Sequence, residues 1–117
     1  MHISSQRINA SLSKEIRNSF FQLISDIKDP EEAKDILSSV LTETEIEVFS
    51  KRLAIGYYLR SNRKYENIVC NLKVSSTTIA KVSEMMEGRG FSLALKKIGA
   101  EEWAEKWSRK INKLISR

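Results

Sequence analysis

Residues 65–86 read YENIVCNLKVSSTTIAKVSEMM, and how this stretch folds decides what the rest of the chain is for. Ile68, Val69 and Leu72 share one face at i, i+1 and i+4, which predicts a short helix from Tyr65 to Leu72. Lys73 and Val74 interrupt it. Ser75 then offers a hydroxyl that can accept from the backbone N–H of Thr77 or Thr78 and so cap a second helix. In that helix Ile79, Val82 and Met86 recur at i, i+3 and i+7, one buried stripe, while Ser76, Thr77, Ala80 and Lys81 lie opposite. A helix that only fills a core has no need of a short, hydroxylated, cationic face. A helix that enters the major groove does, because phosphate oxygens and base edges must come within hydrogen-bond reach. The stretch is therefore read as a helix-turn-helix with its second helix, from Ser75 to Met86, as the recognition helix.

Any two amphipathic helices meeting at a corner would show the same periodicity, so charge has to decide. Between Lys51 and Val82 stand seven basic residues (Lys51, Arg52, Arg60, Arg63, Lys64, Lys73, Lys81) and one acid, Glu66. Between Glu31 and Ser50 stand six acids and one lysine. A whole-chain charge of +5 fits a nucleic-acid partner, and this segregation localises the surface that would meet phosphate.

Composition excludes several alternatives. With 117 residues and 41% hydrophobic content the chain suits one small globular domain, or one domain with helical arms. No apolar run reaches the ~20 residues of a membrane span, and the first fifteen residues lack the apolar core of a secretory signal, so a cytoplasmic protein is expected. Cys70, the single cysteine, is expected to be a packed or half-buried thiol. His2 is the single histidine and sits near a terminus; no Cys/His or Asp/Glu grouping has metal-ligand spacing, and the glycines form no phosphate-cradling loop. Neither an enzymatic site nor a cofactor is expected.

Taken in order, residues 1–12 are expected to be a disordered arm, residues 13–90 the helical core carrying the motif at 65–86, and residues 91–117 a C-terminal helical extension. Ser13 can cap a first helix running to about Lys28, with Ile16, Phe20, Leu23, Ile24 and Ile27 on one face and Phe21 widening it. Asp29, Pro30 and Glu32 give a cap, a first-turn proline and a capping-box glutamate for the next helix, and Thr42 with Glu45 repeats the pattern for a long helix to about Arg60. Its expected buried stripe is Ile46, Phe49, Leu53 and Tyr57. Phe91, Leu93, Leu95 and Ile98 predict one more helix before Gly99, and Trp103, Trp107, Ile111, Leu114 and Ile115 share a stripe in a last one, with Lys and Arg opposite. No strand-like alternation occurs, and the fold class is all-α.

Three segments, Leu41-Thr42-x-x-Glu45, Lys51-Arg52-Leu53-Ala54 and Ser75-x-x-Thr78-Ile79-x-Lys81-Val82, make residues 30–90 resemble the Trp repressor family. The resemblance implies an intertwined, all-helical homodimer whose N-terminal helices interlock and whose two recognition helices enter successive major grooves. That would account for the excess apolar surface of the first helix. It also implies an effector pocket built from Thr42, Arg52 and the residue at Lys81. In tryptophan-binding members an arginine stands where this chain has Lys81, and a glycine where it has Val82. Lysine has no planar face to stack on an indole, and valine fills the space glycine leaves, so no response to tryptophan is expected.

The sequence thus predicts a dimeric, sequence-specific regulator of double-stranded DNA. Arg63 and Lys64 would clamp the backbone, and Ser75, Ser76, Thr77, Thr78 and Lys81 would face the DNA at the recognition helix. A second reading stays open, a helical protein–protein adaptor that docks through its Trp-bearing C-terminal helix. No small-molecule ligand, operator or sign of regulation can be assigned from the residues.

Overall fold

Side chains at Asn9, Asp29 and Ser75 cap the starts of three helices. The computed structural model describes residues 8–99 together with Lys106, Arg109, Lys110 and Lys113. Between residues 8 and 99 it holds α1 (Ala10–Asp26), α2 (Pro30–Val40), α3 (Glu43–Arg60), α4 (Tyr65–Leu72), α5 (Ser76–Met85) and α6 (Arg89–Gly99). No strand occurs among the described residues. The fold is all-α, as the periodicity predicts.

α1 begins about one turn earlier than expected. Asn9, not Ser13, is its cap, and the Asn9 carboxamide oxygen accepts from the N–H groups of Ser11 (2.8 Å) and Leu12 (3.4 Å). Residues 10–12 are therefore helical; residues 1–7 of the expected arm lie outside the described residues. Asp29 caps α2 by accepting from Glu32 N (2.9 Å), with Pro30 in the first turn as anticipated. Glu32 reaches back one residue further than a capping box does, accepting from Lys28 N at 3.3 Å.

Two left-handed residues punctuate the motif. At the end of α3, Asn62 adopts φ 60°, and Arg63 N donates to Tyr58 O while Asn62 N donates to Leu59 O. This is a Schellman ending with asparagine at the left-handed position. Lys73 ends α4 with φ 56° and ψ 51°, at a place where glycine would carry no Cβ penalty. Lys73→Gly should accordingly raise the unfolding free energy by up to about 1 kcal/mol. Urea denaturation followed by circular dichroism would show it, and a loss of stability would contradict the turn.

The chain divides into two units between Thr42 and Glu43. In the first, none of residues 8–42 is buried, and the face of α1 carries Leu12, Ile16, Phe20, Phe21, Leu23 and Ile24, each 37–63% exposed. The Phe20 and Phe21 rings lie 6.1 Å apart.

The second unit is organised around α3, which packs on α4, α5 and α6. Ala54, Ile55 and Tyr58 form one core cluster with Ile68 of α4 and Ile79 and Val82 of α5. Leu53 and Tyr57 belong to a second cluster, around Leu95 and Ile98 of α6. The expected single stripe Ile46, Phe49, Leu53, Tyr57 is thus not the buried one: Phe49 is 44% exposed and Ile55 fully buried. A helix covered from two sides buries two neighbouring stripes, which a one-face reading cannot separate. Gly56 faces α6, and a Cβ there would overlap the edge of the Phe91 ring. Burial pushes the Tyr58 phenol above its usual range, Tyr57 adding to the rise and Arg63 opposing it.

Because α6 starts at Arg89 and joins the α3 core through Leu95 and Ile98, the expected boundary at residue 90 falls inside a packed element. Leu93, expected on its apolar face, is 46% exposed. Cys70 is exposed rather than packed, turned outward while its neighbour Val69 packs on the core. Of the expected last helix, Lys106, Arg109, Lys110 and Lys113 are helical and exposed, while Trp103, Trp107, Ile111, Leu114 and Ile115 lie outside the described residues. No described helix is long and apolar enough to cross a membrane.

Candidate nucleic-acid interface

α5 owes its position to two residues. Ile79 and Val82, 0% and 1% exposed, seat it in the core shared with Ile55 and Ile68. Residues three apart on a helix share a face, so the opposite side is turned to solvent. Ser76, Thr77, Ala80 and Lys81 are all exposed there.

The start of α5 is built by its cap. Ser75 Oγ accepts from Thr78 N at 3.1 Å, and the Ser75 and Thr78 hydroxyls bond each other at 2.9 Å. Of the two donors foreseen for the cap, the structure selects the Thr78 N–H. Ser75 and Thr78 therefore spend part of their hydrogen-bonding capacity on each other, and Ser76 and Thr77 present the hydroxyls of the first turn. Lys81 lies one turn further along. Among the cations expected to clamp the backbone, Lys64 is exposed at the N-cap of α4, whereas Arg63 is half-buried beside Tyr58.

Behind this surface lies a cleft of about 450 Å³ lined by residues of α3, the turn and α5. Arg52 and Lys81, the two cations the family resemblance assigned to an effector, both line it. So does Val82, with its side chain almost wholly buried. Thr42 stands exposed just before α3. The Arg52 guanidinium lies 5.6 Å from the centre of the Phe49 ring, within cation–π range. Lys51 and Lys73 also line the cleft, and the sequence reading gave neither a role there. For Lys51 a signal existed: Val48, Lys51, Arg52 and Ile55 fall at i, i+3, i+4 and i+7, one face of α3, and all four line the cleft.

Two short helices joined through a left-handed residue, the second seated by its buried stripe with a hydroxylated and cationic outer face, define a helix-turn-helix protein. The family model described as Trp repressor protein matches residues 15–97, and the chain belongs to that family. Among solved structures, a TrpR-like protein from Eubacterium eligens ATCC 27750 superposes with a TM-score of 0.71 at 29% identity, over 80% of this chain and 99% of that one. No curated protein matches the chain. The fold and family expected from the three sequence segments are thus shown, and the family is a regulatory, DNA-binding one rather than an enzymatic one.

Proposed function

We propose that this chain is a sequence-specific transcriptional regulator that binds double-stranded DNA as a homodimer, reads it with α5, and does not respond to tryptophan. The observation that carries the reading is the two-sidedness of α5. Its inner residues Ile79 and Val82 are fully buried, and its outer face carries the small, hydroxyl-bearing or cationic Ser76, Thr77, Ala80 and Lys81 over its first turns, with the acid Glu84 following only near its end. Thr77 offers a methyl to thymine and a hydroxyl to phosphate, and Lys81 can reach guanine acceptors. Lys64, with Arg63 behind it, contacts the backbone without reading sequence. The homodimer is supported by α1, whose six large apolar side chains have no core among residues 8–42.

Fluorescence anisotropy on a selected site and on random DNA, at several salt concentrations, tests the assignment. Thr77→Ala or Lys81→Ala should cost about 1–3 kcal/mol on the selected site and much less on random DNA. Lys64→Ala or Arg63→Ala should weaken both alike and reduce the salt slope by about one per lost contact. Equal losses on both DNAs for Thr77 and Lys81 would remove them as base readers. No loss for any of the four would remove the DNA-binding reading.

For tryptophan, the family resemblance sets Lys81 at the position of a stacking guanidinium and Val82 at that of a glycine that leaves room for the ring, and that both residues line the cleft supports the reading. Calorimetry with L-tryptophan should show no saturable heat at millimolar ligand. A micromolar isotherm would mean that the correspondence of Lys81 and Val82 is misplaced.

A further inference from the structure

We propose that a row of cations near the C-terminus, Lys106, Arg109, Lys110 and Lys113, grips the DNA backbone outside the contacts of α5, adding affinity without adding sequence preference. The inference rests on the proposed reading of the chain as a DNA binder. It extends that reading to residues beyond the 15–97 that the family model matches. Each of the four is helical and exposed. Spaced at i, i+3, i+4 and i+7, they fall within an arc of about 100° and share one side of the helix predicted there.

The sign of the charge separates this row from an ordinary solvated face. Exposed helix surfaces commonly mix signs, with Glu and Lys one turn apart. Residues 106–117 hold five cations and no acid, and Glu101, Glu102 and Glu105 all come before them. Their charge of +5 equals that of the whole chain, so the rest of the chain sums to zero. Among the described residues no acid pairs with any of the four. Compensating a helix dipole calls for cations in the last turn, whereas this row covers about two turns. Lys96 and Lys97 of α6 are exposed cations as well, and residues 88–100 contain no acid.

The row's dimensions suit a phosphate backbone. Positions 106 to 113 span about 10 Å along a helix axis. Duplex DNA carries one phosphate per ~1.7 Å of its own axis, so about six lie within that length. Three of the four cations are lysines, point charges that accept a phosphate in any orientation. Such contacts hold a protein on the duplex and carry no sequence information. DNA is favoured over an anionic lipid surface because the chain belongs to a DNA-binding family.

The full chain and two variants test the row by fluorescence anisotropy on a selected site and on random DNA, over a range of salt. The first variant combines Lys106→Gln, Arg109→Gln, Lys110→Gln and Lys113→Gln; glutamine keeps helix propensity, so its circular dichroism should be unchanged. Its Kd should rise about tenfold or more on both DNAs alike at about 0.1 M salt, and its salt slope should fall by about one per lost contact. The second combines Lys106→Arg, Lys110→Arg and Lys113→Arg, keeps every charge, and should match the unaltered protein in slope. An unchanged slope in the glutamine variant, while the unaltered protein still prefers the selected site, overturns the row and leaves the reading of α5 standing. A loss confined to the selected site overturns it too, since phosphate contacts serve all sequences. Equal binding of the unaltered protein to both DNAs, lost in the glutamine variant, supports the row and overturns base reading by α5. An unaltered protein that binds neither DNA overturns the DNA reading and the row with it. Phosphatidylcholine vesicles with and without phosphatidylserine complete the test. Binding to the anionic vesicles that the glutamine variant loses, with its DNA slope unchanged, assigns the row to a membrane surface and overturns the proposal.

Discussion

Ile79→Ala should lower the unfolding free energy by about 2–5 kcal/mol, the range for removing a large aliphatic side chain from a filled core. Ile79 is 0% exposed and packs in the cluster of Ile55, Ile68 and Val82, where three helices meet. The loss is a large share of the roughly 5–15 kcal/mol that holds a small protein folded. Thr77→Ala, two residues earlier on the same helix but exposed, should stay within about 0.5 kcal/mol. Urea titrations of both variants by circular dichroism provide the comparison. Equal costs would mean that α5 is not seated on α3 by this stripe, and the two-sidedness behind the DNA reading would go with it.

Phe20→Glu should split the proposed homodimer. Phe20, Phe21, Leu23 and Ile24 lie 37–63% exposed on a helix whose unit has no buried residue among those described, 8–42, an apolar face of the kind that marks an interaction surface. If a second copy covers it, a glutamate at position 20 becomes an uncompensated buried charge, costing about 3–5 kcal/mol. That corresponds to a dimer weakened by roughly 10²–10⁴-fold. Sedimentation equilibrium of the variant beside the unaltered protein would show the shift, and a folded monomer of the unaltered protein at micromolar concentration would dispose of the dimer altogether. Loss of the preference for a two-half-site DNA over a single half-site would be the secondary sign, since only the dimer spans both.

What could be read from the residues was whatever depends on near neighbours in sequence. Asp29 and Ser75 cap helices because their side chains reach a backbone N–H three residues on, so both helix starts were legible. The outer face of α5 was legible for the same reason, being one side of one short helix. Asn9 and Ser13 both qualify as caps, and choosing between them needed the geometry of the first turn. α3 was misread because its packing comes from two directions, with Ile55 and Tyr58 towards α4 and α5, and Leu53 and Tyr57 towards α6. The convergence of Lys51 and Arg52 with Lys73 and Lys81 was out of reach altogether, since it joins residues brought near each other only when α5 docks on α3.

Asn62 and Lys73 have a mechanical meaning as well as an energetic one. α4 is a rod of eight residues with a left-handed residue just beyond each end of its span, one in the joint from α3 and one in the joint to α5. For residues with a Cβ the left-handed basin is narrow, so neither joint has much torsional play. The three rods are therefore stiffly linked, and the direction in which α5 points is transmitted from α3 through backbone handedness as well as through the core. A glycine at position 73 would relax the strain and also widen the arc through which that second joint can swing, because glycine is at home in both hands. The lysine trades some stability for aim.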